Sequence, residues 1–240
     1  MKVKVDLHNH SCLSPCGSND MTPGLLTIEA LEKGIDILAL TDHNSGLNLP
    51  AFAELCDLCG IMPVFGLEVD TIEDVHVVCL FEKLKQAMEF SHFVEVMLPD
   101  IKNIPSKIGD QLIVNSEGTV TGTFDKFLLN TCGISFYDLI EEVLSRDGIV
   151  IPAHVDRMAY SAVANLGFLP DLPYSAVEMV NVKSNINVYG KTIITGSDAH
   201  FFQDIGKRAF YLEVPEISFA GLKKGLEQGK VSYLTPPPLF

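Results

Sequence analysis

Hydrophobic and polar positions alternate along the chain in a strand, loop, helix rhythm. Val3-Lys4-Val5-Asp6-Leu7 changes character at every residue, as a half-buried strand does. Thr22 is placed to cap a helix with Pro23 in its first turn, and Gly34 ends it. Ile35 to Leu40 is a short apolar run of strand type. Pro50 opens a second helix, with Phe52, Leu55, Cys56 and Cys59 on one face and Gly60 as its stop. Strands follow at Met62–Val69 and Val75–Phe81, then a helix over about 83–97. The rhythm breaks at 99–132, where Gln111–Val114 and Thr119–Thr123 flank Asn115-Ser116-Glu117-Gly118 as an inserted β-hairpin. It resumes with a helix capped by Ser135, bearing Phe136, Leu139, Ile140, Val143 and Leu144, and closed by Asp147-Gly148. Strands are predicted at Ile149–Ala153, Ala176–Val180, Lys191–Thr195 and Ala209–Val214, and a last helix after Ser218 groups Phe219, Leu222 and Leu226. Pro236-Pro237-Pro238 reads as an extended tail. Alternating strands and helices argue for an α/β fold with a parallel sheet, and no linker divides residues 1–240, so one domain is expected.

The composition narrows the partners. The 240 residues carry a net charge of −14, and no Lys/Arg cluster offsets it, so long nucleic acid is not expected as a partner. A small anionic substrate stays open, because bound metal ions reverse a local potential. No apolar stretch reaches the roughly 18 residues of a membrane helix, and MKVKVDLHNH shows no signal-peptide core, so a cytoplasmic protein without membrane contact is expected. Oligomeric state leaves no mark. Six cysteines without an export signal argue against structural disulfides. Cys56 and Cys59 share a helical face with core residues and read as packing; a zinc clip joining them to Cys12 and Cys16 is the alternative.

The chemistry lies in histidines and carboxylates at predicted strand ends. His8 and His10 follow the first strand at i and i+2, so on extended backbone both imidazoles point the same way. His43 stands in TDHN, Glu68 ends MPVFGLEV, His76 lies in DVHVVCLF and His154 ends IVIPAH. Asp198 and His200 form a second i, i+2 pair in TGSDAH. In a barrel such positions converge at the end where active sites sit. Nitrogen and carboxylate ligands in this ratio suit zinc, manganese or iron, and their number implies two or three divalent ions. His92, within a helical stretch, reads as a surface or structural residue.

In this order, DLHNHSCLSPC, ALTDHN, GLEV, VHVVCLF, IPAHVDR and GSDAH resemble the PHP family, named for its polymerase-associated and histidinol-phosphatase members. The resemblance implies a single distorted (β/α)7 TIM-like barrel around a site for three metals. It assigns His8, His10, His43, Glu68, His76, His154, Asp198 and His200 as ligands. A further ligand place falls in SCLSPC, where the family usually has Asp or His. Cys16 is the residue there able to bind, as a thiolate favouring zinc or iron, and Asp20 is a substitute.

The expected function is metal-dependent hydrolysis of a phosphate ester, on a small molecule or nucleotide monoester, by water activated at the metals. Asp198 or His200 takes part in proton transfer. Arg157, three residues after His154, holds phosphate oxygens bidentately, and Lys183 is a second candidate for that role. Asp6, Asp42 and Asn44 are expected to orient histidines. Two other readings stay open: a phosphodiesterase or exonuclease on short oligonucleotides, and a non-catalytic metal-binding regulatory module.

Overall fold

The computed structural model describes residues 1–234, so the proline tail at 236–238 lies outside the described residues. In chain order the first half runs β1 (Lys2–Asp6), α1 (Pro23–Glu32), β2 (Ile37–Leu40), α2 (Leu49–Cys59), β3 (Met62–Asp70), β4 (His76–Phe81) and α3 (Leu84–Met97). A short helix α4 (Pro105–Ile108) and a hairpin of β5 (Leu112–Val114) and β6 (Val120–Thr123) come next. The rest comprises α5 (Phe136–Ser145), β7 (Ile149–Pro152), α6 (Ala162–Leu166), β8 (Val177–Glu178), β9 (Ile193–Ile194), β10 (Phe210–Glu213), α7 (Phe219–Gln228) and β11 (Val231–Tyr233).

Seven strands make one sheet in the order β11-β10-β1-β2-β3-β4-β7, while β8 pairs with β9 in a small parallel sheet. This corrects the expectation of a (β/α)7 barrel built from parallel strands. β1, β2 and β3 are parallel, but β4 is antiparallel to β3 and β7, and β10 is antiparallel to β1 and β11. The reason is connection length. Asp70 and His76 face each other across β3 and β4, joined by a turn far shorter than the dozen or so residues that a parallel crossover needs. The small sheet is tied to β7 by Ser175 N donating to Val150 O at 3.0 Å. It is tied to the end of β1 by Asp198 N donating to His8 O at 2.8 Å and His10 N to Ala199 O at 3.0 Å. The fold is therefore mixed α/β with a curled half-barrel sheet.

Local signals act as the sequence suggests. The hydroxyls of Thr22, Ser135 and Ser218 accept from Leu25 N, Asp138 N and Gly221 N at the starts of α1, α5 and α7. Gly60 ends α2 in the left-handed conformation, at φ 67°. Alternation splits the strands between two apolar layers. Leu38, Leu40, Leu67 and Cys79 pack with α1, α2, α3 and α5, including Leu26, Phe52, Phe90 and Phe136. Ile37, Ala39, Val64 and Val78 pack instead with Phe210, Leu212 and, from α7, Leu222 and Leu226. Cys56 is fully buried and Cys59 packs against it as predicted core, and Cys12 is buried.

Candidate metal centre

The antiparallel β4 decides how the site assembles. Its N-terminal residue, His76, lies at the same end of the sheet as the C-terminal ends of β2, β3 and β7, which lead to His43, Glu68 and His154. The segment after β1 supplies His8 and His10, and the segment after β9 supplies Asp198 and His200, joined by the Asn9 to Ala199 bridge. The chain bends sharply where it presents these groups. His154 (φ 30°), Asp198 (φ 48°), Asn44 (φ 50°) and Tyr160 (φ 57°) all have positive φ, a strained backbone typical of functional sites.

Glu68 is the hub. Its carboxylate is buried and meets five imidazoles. His8 Nε2, His10 Nε2 and His43 Nδ1 lie 3.2, 3.3 and 3.3 Å from Oε2, and His76 Nδ1 and His154 Nε2 lie 2.9 and 3.2 Å from Oε1. Asp198 Oδ1 lies 3.1 Å from His10 Nε2 and 3.5 Å from His8 Nε2. His200 stacks on His10 with centroids 4.1 Å apart. The ligand atoms form three overlapping groups among the described residues: His10, His43 and His200; His8, His10, Glu68 and Asp198; and His43, Glu68 and His76.

The groups behind the imidazoles fix their tautomers. His8 Nδ1 donates to Glu178 Oε2 at 2.9 Å, so its Nε2 presents a lone pair. Ser14 Oγ donates its one proton to Asp42 Oδ1 at 2.7 Å, and so must accept from His10 Nδ1 at 3.1 Å. His200 Nδ1 donates to the Asp198 carbonyl at 3.0 Å. In the ligating tautomers His8 Nε2 and His10 Nε2 face each other at 3.2 Å, beside the carboxylates of Glu68 and Asp198. Such a cluster needs a cation within it, a proton on an imidazole or a metal ion in its place. His43 Nδ1, Glu68 Oε2 and His154 Nδ1 are also buried without hydrogen-bond partners. The donor set therefore fits divalent metal ions, with nitrogen and oxygen ligands suited to zinc, manganese or iron.

Electrostatics tell the same story. Burial alone would raise the Glu68 carboxyl, but His76, His8 and His43 hold it well below the usual carboxylate range. Asp198 is likewise lowered against its burial, chiefly by His8 and His10. Burial disfavours a charged His10, yet hydrogen bonds to Asp198 and Glu68 outweigh that and lift it to about 9. Burial and the charge on His10 push His200 down to about 4. His10 is thus protonated at neutral pH in the metal-free protein, and an ion must displace that proton. Metal affinity is expected to rise with pH up to about 9, by roughly one log unit per pH unit for each proton displaced. Calorimetric metal titrations at pH 7 in two buffers of different ionisation enthalpy should show proton release.

The centre opens into a cavity of about 270 Å³ lined by Cys16, Asp70, Leu129, Arg157 and Tyr160 as well as His43, Glu68, His76, Asp198 and His200. Arg157 Nη2 meets Asp198 Oδ2 at 2.5 Å, which places the guanidinium on the wall of the cavity. Cys16 also opens on the cavity, but its sulfur joins none of the ligand groups, and burial followed by the Glu68 charge raises its thiol. The structure does not bring Lys183 to the centre. Asp156 accepts from Val180 N, Asn181 N and Ser184 Oγ, pinning a turn that carries Lys183 into a different cleft. Asp20 does not line the cavity, and His92 is exposed on α3.

The predicted supports need revision. Asp6 accepts from Ser197 N and Asn44 bridges Asp70 N to the carbonyls of Leu128 and Asn130, so both brace backbone rather than imidazoles. Asp42 reaches His10 only through Ser14. Glu178 was missed. Its one visible signal is a lone carboxylate inside the apolar run AVEMV, a costly position unless paired. Tyr160, whose ring stacks on His76 with centroids 4.9 Å apart, left no signal.

A family model described as PHP domain matches residues 6–150. No curated protein matches the chain. Among solved structures, the lesion-specific endonuclease PfuEndoQ from Pyrococcus furiosus superposes with a TM-score of 0.72 at 20% identity, over 97% of this chain and 58% of that one. Endonuclease Q in complex with a 27-mer duplex substrate, an abasic lesion at its active site, gives 0.67 at 18% identity, over 97% and 58%. A two-domain protein from Bacteroides vulgatus containing a predicted PHP-like metal-dependent phosphoesterase gives 0.58 at 15% identity, over 98% and 65%. The chain thus spans little more than half the length of the endonuclease Q chains, and these identities establish a shared fold. The expectation of a small phosphorylated substrate with no long nucleic acid is overturned by the endonuclease Q complex, whose substrate is a DNA duplex. The physical reason is that net charge sums the whole surface, whereas binding responds to the local field near the site. No helix among the described residues is long and apolar enough to cross a membrane.

Proposed function

The chain belongs to the PHP domain family of metal-dependent phosphoesterases, and from that premise we propose that it hydrolyses phosphodiester bonds in nucleic acid. The observation that carries this reading is the single cation on the wall of the cavity. Arg157 is the only lysine or arginine lining it among the described residues, and its charge is already shared with Asp198. A diester carries one charge per phosphate, which the free edge of one guanidinium can meet, while bound divalent ions would offset the remaining charge. The cavity is also open, so a polymer can pass across it. The fold shared with endonuclease Q supports the same reading.

His8, His10, His43, Glu68, His76, His154, Asp198 and His200 would hold two or three ions, with Cys16 on the wall of the same cavity but outside the ligand groups. Bound divalent ions supply an activated water and offset charge on the phosphoryl oxygens. Arg157 orients the phosphate with the guanidinium edge not used by Asp198. Glu178 and Ser14 hold the His8 and His10 rings in their ligating tautomers. Asp198 and His200 are the groups placed to move a proton, and Tyr160 shields the His76 face.

The test is an assay with manganese, zinc or ferrous iron on an aryl phosphate diester, the matching monoester and a labelled oligonucleotide. A His10→Ala/His200→Ala variant serves as the contaminant control. Diester kcat/KM is expected to exceed monoester kcat/KM by more than about tenfold, equivalent to about 1.4 kcal/mol of transition-state preference. Monoester preference, or turnover surviving in the variant, would overturn the reading.

A further inference from the structure

Three cavities run side by side from the metal centre. The first, lined by His43, Glu68 and Asp198, shares Arg157 and Asp198 with a second of about 280 Å³. The second shares Lys207 and Arg208 with a third of about 670 Å³, whose walls add Lys183, Val180, Val182 and Tyr233. Charge changes sign along this path. The centre is crowded with carboxylates, and the second cavity has Arg157, Lys207 and Arg208 against Asp198 and Asp204. The third is lined by Lys183, Lys207 and Arg208 with no carboxylate among its described walls. Such a concentration stands out on a chain with 17 basic and 31 acidic residues.

We propose that this third cleft holds a single-stranded stretch of nucleic acid leading away from the scissile phosphate, with Lys183 and Lys207 on its backbone and Tyr233 under a base. The inference rests on the diesterase reading and extends it to a binding site outside the metal centre. Both lysines are exposed. Lys207 pairs with Asp204 at 3.2 Å, an exposed pair that a phosphate can replace. Arg208 is committed differently: its Nε and Nη2 donate to the carbonyls of Gly196 and Ser197, so it shapes the wall next to Asp198. Tyr233 is anchored by its hydroxyl, which donates to Ile193 O at 3.0 Å, leaving a partly exposed ring beside Val180 and Val182. Ammonium groups for the backbone and an aromatic face for a base are the two elements that single-strand grooves combine. A duplex, whose bases are stacked inward, would leave the apolar wall unused.

The experiment uses a Lys183→Glu/Lys207→Glu variant of the full chain, with Lys183→Arg/Lys207→Arg as the charge-retaining control. Binding of a labelled single-stranded oligonucleotide with non-hydrolysable linkages is measured by anisotropy on the metal-loaded protein, across a salt series. The double Glu variant is expected to bind at least about tenfold more weakly. Its salt slope should fall by about 1.4, the value for two lost phosphate contacts on a single strand. The ratio of oligonucleotide to aryl-diester kcat/KM should fall in parallel, and the Arg variant should behave as wild type. Equal affinity and slope in wild type and the Glu variant would overturn the cleft while leaving diester hydrolysis standing. Duplex bound more tightly than single strand would also overturn it. Charge-dependent binding without diester turnover by any metal-loaded form would support the cleft and defeat the diesterase reading instead.

Discussion

Replacing Glu68 with glutamine should lower activity by about 10³-fold and release more than one metal ion per chain, because the carboxylate belongs to two of the three ligand groups. Five imidazoles lie within 3.3 Å of it, so the loss is not confined to one position. The metal-free variant should also be destabilised. Glu68 is fully buried, and its negative charge faces His8, His10 and His76, whose imidazoles it raises toward the charged form. Removing one partner of a buried charge cluster typically costs about 3–5 kcal/mol. Metal content by mass spectrometry and thermal unfolding in EDTA would measure the two effects separately. Retention of full metal content would show that Glu68 serves only as a counter-charge.

The second large effect is expected at Asp198, where ligand and backbone roles can be separated. Asp198 contacts His8 and His10, pairs with Arg157 and sits at φ 48°. Asp198→Asn keeps a side chain that tolerates left-handed backbone but removes the charge. It should lose about 10²–10³-fold in kcat, and a lower Tm in EDTA should follow from the loss of a buried charge that faces His8, His10 and Arg157. Asp198→Ala should lose the same activity and about 1 kcal/mol of stability besides, because alanine tolerates that backbone less well. Equal Tm for the two variants would mean that the strain is negligible. Near-normal kcat in the Asn variant would remove Asp198 from the catalytic centre.

How much of this was legible depended on how local the signal was. The His8/His10 pair was readable because a period of two on extended backbone puts both members on one side; Asp198 and His200 also converge, although Asp198 leaves the extended region at φ 48°. The caps at Thr22, Ser135 and Ser218 were readable because they act within three residues. The β3–β4 pair was read as part of a parallel series, although the short Thr71–Val75 connection already required a hairpin. What depended on distant contacts stayed hidden. Nothing around Glu178 points to His8, 170 residues away, and the turn that carries Lys183 outward is set by Asp156. The summed charge misled because it averages over the cleft of Lys183, Lys207 and Arg208, which only folding assembles.

The small β8–β9 sheet has a further consequence. Its own ladder pairs only Val177 with Ile193 and Glu178 with Ile194, too little to persist unaided. Part of its anchorage is the Glu178 contact to His8, which also sets the ring that faces the metals. Folding of this segment and occupancy of the centre are therefore linked thermodynamically. An ion bound at 1,000 times its Kd adds about 4 kcal/mol to whichever form holds the centre intact. Amides of Val177 and Met179, bonded to Thr192 and Ile194, should exchange with solvent far more slowly once metal is bound. The metal centre thereby acts as a clasp on the last third of the chain, so that depletion of the ion loosens architecture as well as stopping chemistry.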